Sequence, residues 1–423
     1  MRESSSMSRR LCAVLAAAFF LTLFVAVPAR AGQTMTLWIR SDGSTFMPPM
    51  VKRFNETHEN QIKLELVLPQ EIVRKFGTSY AAGEAPDAIS LDLIYHPQFT
   101  KADLCEDLTE YAKSLPYFEH LSKSHVRLAS KDGRIYGLPY AADVSFLFYN
   151  KDLFRRAGLD PEKPPSNFAE MRDAAEKISK LEGPEEIFGY WTSLGSGGNQ
   201  TFTFQPQIWA SGGDILNADG SKCMLDSDIV RECLKHYRGL FQSGAMPISC
   251  QTDSGANRIP LFAAGRTGIT LGGTFNLGTI LRDFPDLDFG IAPIPGKDGG
   301  YSTFAGGDNL IIPKGSKNIA VAKEFLEWSY SLEGQTLLAQ FGGLPPRLDT
   351  AAEALKNHDP RYLLSAKILE VGQTPYSDKY LDLFNSNNSP WLLMIQDATF
   401  TDGDIDAIVE ETVEFIQEAL DQD

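Results

Sequence analysis

The chain has 423 residues, a formal net charge of −16 and a content of 43% hydrophobic and 11% aromatic residues. At that length a single hydrophobic core rarely suffices, so two domains are the starting expectation. The acidic balance repels nucleic acid and anionic membranes and argues against both as partners.

Arg2, Arg9 and Arg10 precede an apolar run from Leu11 to Val27, broken only by Thr22, and Ala29-Arg30-Ala31 has the small-x-small form of a signal-peptidase site. The run of about 17 apolar residues is short for a transmembrane span of about 20. Residues 1–31 are therefore expected to be a signal peptide, and the remainder a secreted, soluble, periplasmic protein. Cys12 sits at the front of the run, not after small residues at its end, which argues against a lipid anchor.

From Thr34 the sequence alternates strand-like and helix-like segments. Thr34 to Ile39 is β-rich. Ser44 can cap a helix whose Met47, Met50, Val51 and Phe54 recur at helical spacing. Ile62 to Leu68 alternates as a strand, Pro69 opens a helical segment ending near Gly83, and Ala88 to Leu93 reads as a third strand. This β-α-β-α-β order predicts a mostly parallel sheet with helices on both faces. Ser145 to Tyr149 is an aromatic strand, and a helix is expected from Asn167 to Leu181. The Gly- and Ser-rich Gly195–Gly198 reads as a loop. Helical spacing returns at Gln205–Ala210, Ser227–Ser243 and Arg258–Ala264. Short strands follow at Ile269–Leu271, Phe289–Ala292 and Leu310–Ile312. A helix near Ser316 carries Ala320, Val321, Phe325, Leu326 and Trp328, and Asp404–Leu420 is a final acidic helix.

Past the signal, Cys105, Cys223, Cys233 and Cys250 form no CxxC pair and accompany no histidine cluster, so no metal or other cofactor is expected. An oxidising compartment allows one local bridge among the last three, and buried free thiols are the alternative. No GxSxG, HExxH, P-loop or GxGxxG pattern is present, so no catalytic residue is assigned. A glycoside-acting enzyme, using paired acids in a cleft, is the remote alternative.

Ordered blocks run through the chain: Gly83-Glu84-Ala85-Pro86-Asp87, Asp107-Leu108-Thr109, Asp132-Gly133-Arg134-Ile135-Tyr136-Gly137-Leu138-Pro139 and Tyr149-Asn150-Lys151-Asp152-Leu153-Phe154. Ala210-Ser211-Gly212-Gly213, Phe262-Ala263-Ala264-Gly265, Pro293-Ile294-Pro295-Gly296, Gly306-Gly307, Ser316-Lys317-Asn318 and Gly342-Gly343-Leu344-Pro345 follow. In this order they resemble the extracellular solute-binding proteins of ABC importers, in the sugar-binding, maltose-binding-protein-like group. The resemblance implies a two-lobed type II α/β fold, each lobe a mostly parallel sheet flanked by helices, with the ligand cleft between them. It implies a first lobe of residues 32–141 plus 305–344 and a second of 142–304 plus 345–423, crossing near Ala141–Val144, Tyr301–Ala305 and Leu344. It further implies a monomer that binds a small molecule and meets the membrane subunits of an ABC permease.

A sugar offers hydroxyl groups and apolar C–H faces, so its site needs carboxylates or amides and flat rings. Arg40 and Asp42 follow the first strand, Asp92 and Tyr95 the third, and Asp143 sits within an apolar run at the first crossover. The resemblance matches Asp42 and Asp143 to sugar-contacting acids. Thr201, Phe202, Phe204 and Gln207 occupy the segment where it expects a stacking ring, and Phe275 stands where the family often has Trp. Gly307, beside Gly306, allows close backbone approach, with Asp308 and Asn309 next to it. Arg347 and Trp391 complete the candidate set. Four acids against one or two arginines disfavour anionic ligands and admit a polyamine or polyol as the alternative to a mono- or oligosaccharide.

Overall fold

A computed structural model describes residues 32–68 and 71–422, without the side chains of Asp42 and Ser44. The expected signal peptide, the helix start at Pro69, the Ser44 cap and the Asp42 side chain lie outside these described residues. The backbone of Ser41–Thr45 forms a 3-10 turn.

Eight strands make the main sheet. They are β1 (Thr34–Arg40), β2 (Gln61–Val67), β3 (Ala88–Asp92), β4 (Leu138–Asn150), β5 (Phe188–Trp191), β6 (Thr267–Gly273), β7 (Phe289–Ala292) and β8 (Ala305–Ile311). Their spatial order is β2-β1-β3-β8-β4-β6-β5, with β7 also paired to β4. β1 buries Met35, Leu37 and Ile39 and runs parallel to β2 and β3. Parallel neighbours need crossover connections, and the helices Met47–Thr57 and Ile72–Ala81 supply them. The first of these turns Met47, Met50, Val51 and Phe54 inward, and its N-cap is Phe46.

β4 ties the molecule together. It is 13 residues long, far beyond the Ser145–Tyr149 legible as a strand, because its first half is held extended by pairing with β8, a partner distant in the chain. That first half pairs antiparallel with β8, setting Gly306 opposite Asp143. Its second half pairs antiparallel with β6 and β7. Two lobes thus hang on one continuous strand. One core gathers Met35, Phe54, Leu138, Leu310 and Phe325, and the other gathers Leu147, Tyr190, Phe204, Tyr237 and Trp391. A smaller cluster of Ala142, Val144, Ala305 and Leu344 packs where the segments cross.

The helix Ile319–Ser329 buries Val321, Phe325, Leu326 and Trp328, but Ala320 is exposed and Ala322 takes the inward position. The Gly195–Gly198 loop is in fact the entry to a helix, Gly197–Thr203, because the Ser196 hydroxyl accepts the Asn199 N–H at 3.3 Å and caps it. A helix at Thr274–Asp283 follows β6 directly. Cys105, Cys223, Cys233 and Cys250 are all buried and free. Burial pushes the Cys105, Cys233 and Cys250 thiols up to about 12, which disfavours the reactive thiolate.

Candidate functional site

The carboxyl ends of β1 and β3 and the crossing of β4 with β8 open into a cleft of about 720 Å³. Ligands of open α/β sheets occupy such positions. The floor on the first lobe is charged. Arg40, the last residue of β1, directs Nη1 to Asp92 Oδ2 at 3.0 Å and Nη2 to Asp308 Oδ1 at 2.7 Å. The antiparallel register of β3 and β8 sets those two aspartates directly opposite each other. The hydroxyl of Ser90 donates to the other oxygen of Asp308. Asp308 is thereby a structural acid as well as a cleft-lining one, while Tyr95 lines the cleft from the turn after β3.

Asp143 stands at the crossing. Its Oδ1 accepts the N–H of Val144 at 2.8 Å and of Thr274 at 3.0 Å. Thr274 opens a helix, whose positive end favours a carboxylate. Burial outweighs these bonds, and with the negative charge of Asp92 nearby the carboxyl is pushed up to about 7. Beside it, Gly307 adopts φ 113°, and a side chain there would start 2.2 Å from the carbonyl oxygen of Ala141. Only glycine lets β8 pass this close to β4.

The wall from the second lobe is aromatic. The rings of Phe202 and Phe275 lie 5.9 Å apart, and those of Phe202 and Phe304 lie 5.5 Å apart. Phe275 is 54% exposed, an unusual state for a phenylalanine, and it lines the cleft. Such rings give C–H faces a surface to stack on.

Arg40, Asp92, Tyr95, Asp143, Phe202, Phe275, Gly307 and Asp308 therefore share one hollow. Five of the expected residues do not. Phe204 is fully buried against Tyr237 and Trp391, because two positions along a helix turn it to the face opposite Phe202. Trp391 is likewise a core residue. Gln207 donates to Tyr237 Oη and to the carbonyl of Thr203. Asn309 alternates to the other face of β8 and donates to the carbonyl of His125 at 2.9 Å. Arg347 braces its own loop, donating to Asp349 at 2.8 Å and covering the Tyr117 ring.

The cleft also recruits Asn199, Thr274, Phe304 and Asn385, which the sequence reading passed over. Phe304 stands two residues before Gly306, and the Ser-x-x-Asn cap at Ser196 marks Asn199. Asn385 comes from a one-turn π-helix, Leu381–Asn385, and carries no local signal. Among the described residues no group of three or more His, Cys, Asp or Glu side chains could hold a metal ion, and no helix is long and apolar enough to cross a membrane.

The family model described as bacterial extracellular solute-binding protein matches residues 38–336. A protein of Brucella abortus (strain 2308) named as a binding protein is 28% identical over 299 residues, 70% of this chain and 71% of the relative. The diacetylchitobiose binding protein DasA of Streptomyces coelicolor is 25% identical over 339 residues, 78% of this chain and 76% of the relative. The solved structure of a cyclic alpha-maltosyl-1,6-maltose binding protein from Arthrobacter globiformis superposes with a TM-score of 0.80 at 24% identity, covering 92% of this chain and 99% of that one. A likeness at that identity establishes the shared two-lobed α/β fold.

Proposed function

This chain belongs to the bacterial extracellular solute-binding protein family, and from that membership we propose that its cleft captures a neutral, polyhydroxylated solute, a mono- or oligosaccharide, and delivers it from the periplasm to an ABC-type importer. The observation that carries the reading is the facing of two unlike walls, Arg40, Asp92 and Asp308 against Phe202 and Phe275, with Asp143 at the crossing between them. Charged groups bind hydroxyls with roughly 1.5–3 kcal/mol each. A micromolar complex needs about 8 kcal/mol, so a few such bonds and one stacked ring suffice. Arg40 is the one cation among the described lining residues, and it already faces two carboxylates. A phosphate or carboxylate ligand would meet an excess of negative charge.

In this reading residues 32–141 and 305–344 make one lobe and 142–304 and 345–423 the other. They rotate about β4, β8 and the strand-like contact of Ala142 with Leu344. Ligand bridges both walls only when the lobes close, so it favours the closed state by its difference in affinity. The protein acts as a monomer and makes or breaks no covalent bond. A second reading, a cationic solute such as an amino sugar or a polyamine, draws on the three carboxylates against one arginine.

A thermal-shift panel of sugars, polyols, polyamines and phosphate esters tests the choice. A sugar at a thousandfold its Kd is expected to stabilise the folded protein by about 4 kcal/mol. A response to polyamines alone moves the assignment to the second reading, and a response to phosphate esters alone overturns both. Small-angle scattering with the best sugar should show a smaller radius of gyration. An unchanged profile would remove lobe closure from the mechanism.

A further inference from the structure

Behind the aromatic wall lies Arg258, 4% exposed, with no carboxylate within salt-bridge distance among the described residues. Asp253 favours its charge from beyond that distance, yet a buried guanidinium with no direct ion pair depends on hydrogen bonds to its N–H groups, so its contacts need a reason. Its Nη1 donates to the carbonyl of Leu271 at 2.8 Å, near the end of β6, and its Nη2 donates to Asn199 Oδ1. It thus joins two of the second-lobe segments that line the cleft, Gly197–Thr203 and the turn into Thr274–Asp283. Gly255, at φ 114°, makes room for the pair: a side chain there would start 3.2 Å from both Arg258 Nη2 and Asn199 Nδ2.

A guanidinium only donates, so Asn199 must turn its oxygen towards Arg258 and its NH2 the other way. One N–H of that NH2 is taken by the carbonyl of Ser254 at 3.0 Å. Asn199 is only partly buried and lines the cleft. We propose that Asn199 is a ligand-contacting residue that presents its second amide N–H to an acceptor oxygen of the solute, and that Arg258 is the positioning residue that aims it. The proposal rests on the cleft being the solute site. It adds a dedicated donor to a site otherwise rich in acceptors, which selects solutes carrying a hydroxyl, ring or acetamido oxygen at that point.

Asn199→Asp keeps the size and the acceptor for Arg258 but replaces the amide N–H by an oxygen. With the sugar that gives the largest thermal shift on wild type, calorimetry should show at least a tenfold weaker Kd. Arg258→Met should weaken binding as much, and Arg258→Lys should recover part of the loss. For all three, the ligand-free melting temperature is compared with the ligand-induced shift, because a purely structural arginine moves the first and leaves Kd alone. Wild-type affinity in Asn199→Asp and Arg258→Met overturns the inference. The Asn199 amide protons, followed by NMR without ligand, give a separate reading. One slow and one fast exchanging proton are expected in wild type, and two equally fast ones in Arg258→Met. Two equally protected protons in wild type would also overturn it. Should no sugar bind wild type, the functional assignment fails by itself, while the amide reading still decides how Asn199 is aimed.

Discussion

Replacing Arg40 by methionine is expected to abolish solute binding and to destabilise the folded protein by about 3 kcal/mol at pH 7, the lower end of what breaking a buried ion pair costs. The side chain is central because β3 and β8 bring Asp92 and Asp308 face to face in register, and Arg40 reaches both, at 3.0 and 2.7 Å. Without it two carboxylates repel each other across a partly buried gap. The methionine stem replaces most of the packing, so the loss reports charge rather than a cavity. Urea unfolding at low and at high salt separates the two, since salt screens carboxylate repulsion and leaves a cavity unchanged. Equal unfolding midpoints for variant and wild type at pH 7 would show that this arginine is a bystander.

The second large effect concerns Asp143. Moving its pKa from an ordinary 3.8 to about 7 corresponds to roughly 4 kcal/mol. The sign follows from proton counting. Between about pH 4 and 7 the unfolded carboxyl has lost its proton while the folded one keeps it, so the unfolded state binds fewer protons and stability falls as pH rises. Above about 7 the full penalty is present. Asp143→Asn keeps an oxygen to accept the N–H groups of Val144 and Thr274 and cannot ionise. It should therefore exceed wild type in stability by up to roughly 4 kcal/mol at pH 8 and match it near pH 4. Solute affinity should drop more than tenfold at pH 8, because the cleft-facing oxygen becomes an NH2. Stability curves that stay parallel across this range, or unaltered binding, would mean that Asp143 is solvated and idle. Greater stability with lost binding is the behaviour of a group retained for function rather than for folding.

Much of this site was legible one residue at a time. Arg40, Asp92 and Tyr95 follow strands whose apolar alternation is plain, and ligands gather beyond such strand ends. Asp143 stood out as a charge within an apolar run, and Gly306-Gly307 as a place where the backbone approaches a ligand, although at Gly307 the space is taken by the passage of β8 against β4. What misled was direction. Phe202 and Phe204 look alike in the sequence, yet the turn of the helix sends one to the cleft and the other to the core. Asp308 and Asn309 are neighbours, but strand alternation points only the aspartate at the hollow. Trp391 and Arg347 were drawn in by chain position and are spent on packing and on a local ion pair.

By itself, then, the sequence determined the α/β elements, the outline of their order and the chemical character of the cleft, since periodicity, glycine placement and charge in apolar surroundings are local properties. Only the tertiary structure decided that β4 runs unbroken through both lobes, that one arginine serves two facing aspartates, and that Asn199, Phe304 and Asn385 join them. Those facts depend on register and on contacts between residues far apart in the chain, which no short window of sequence contains.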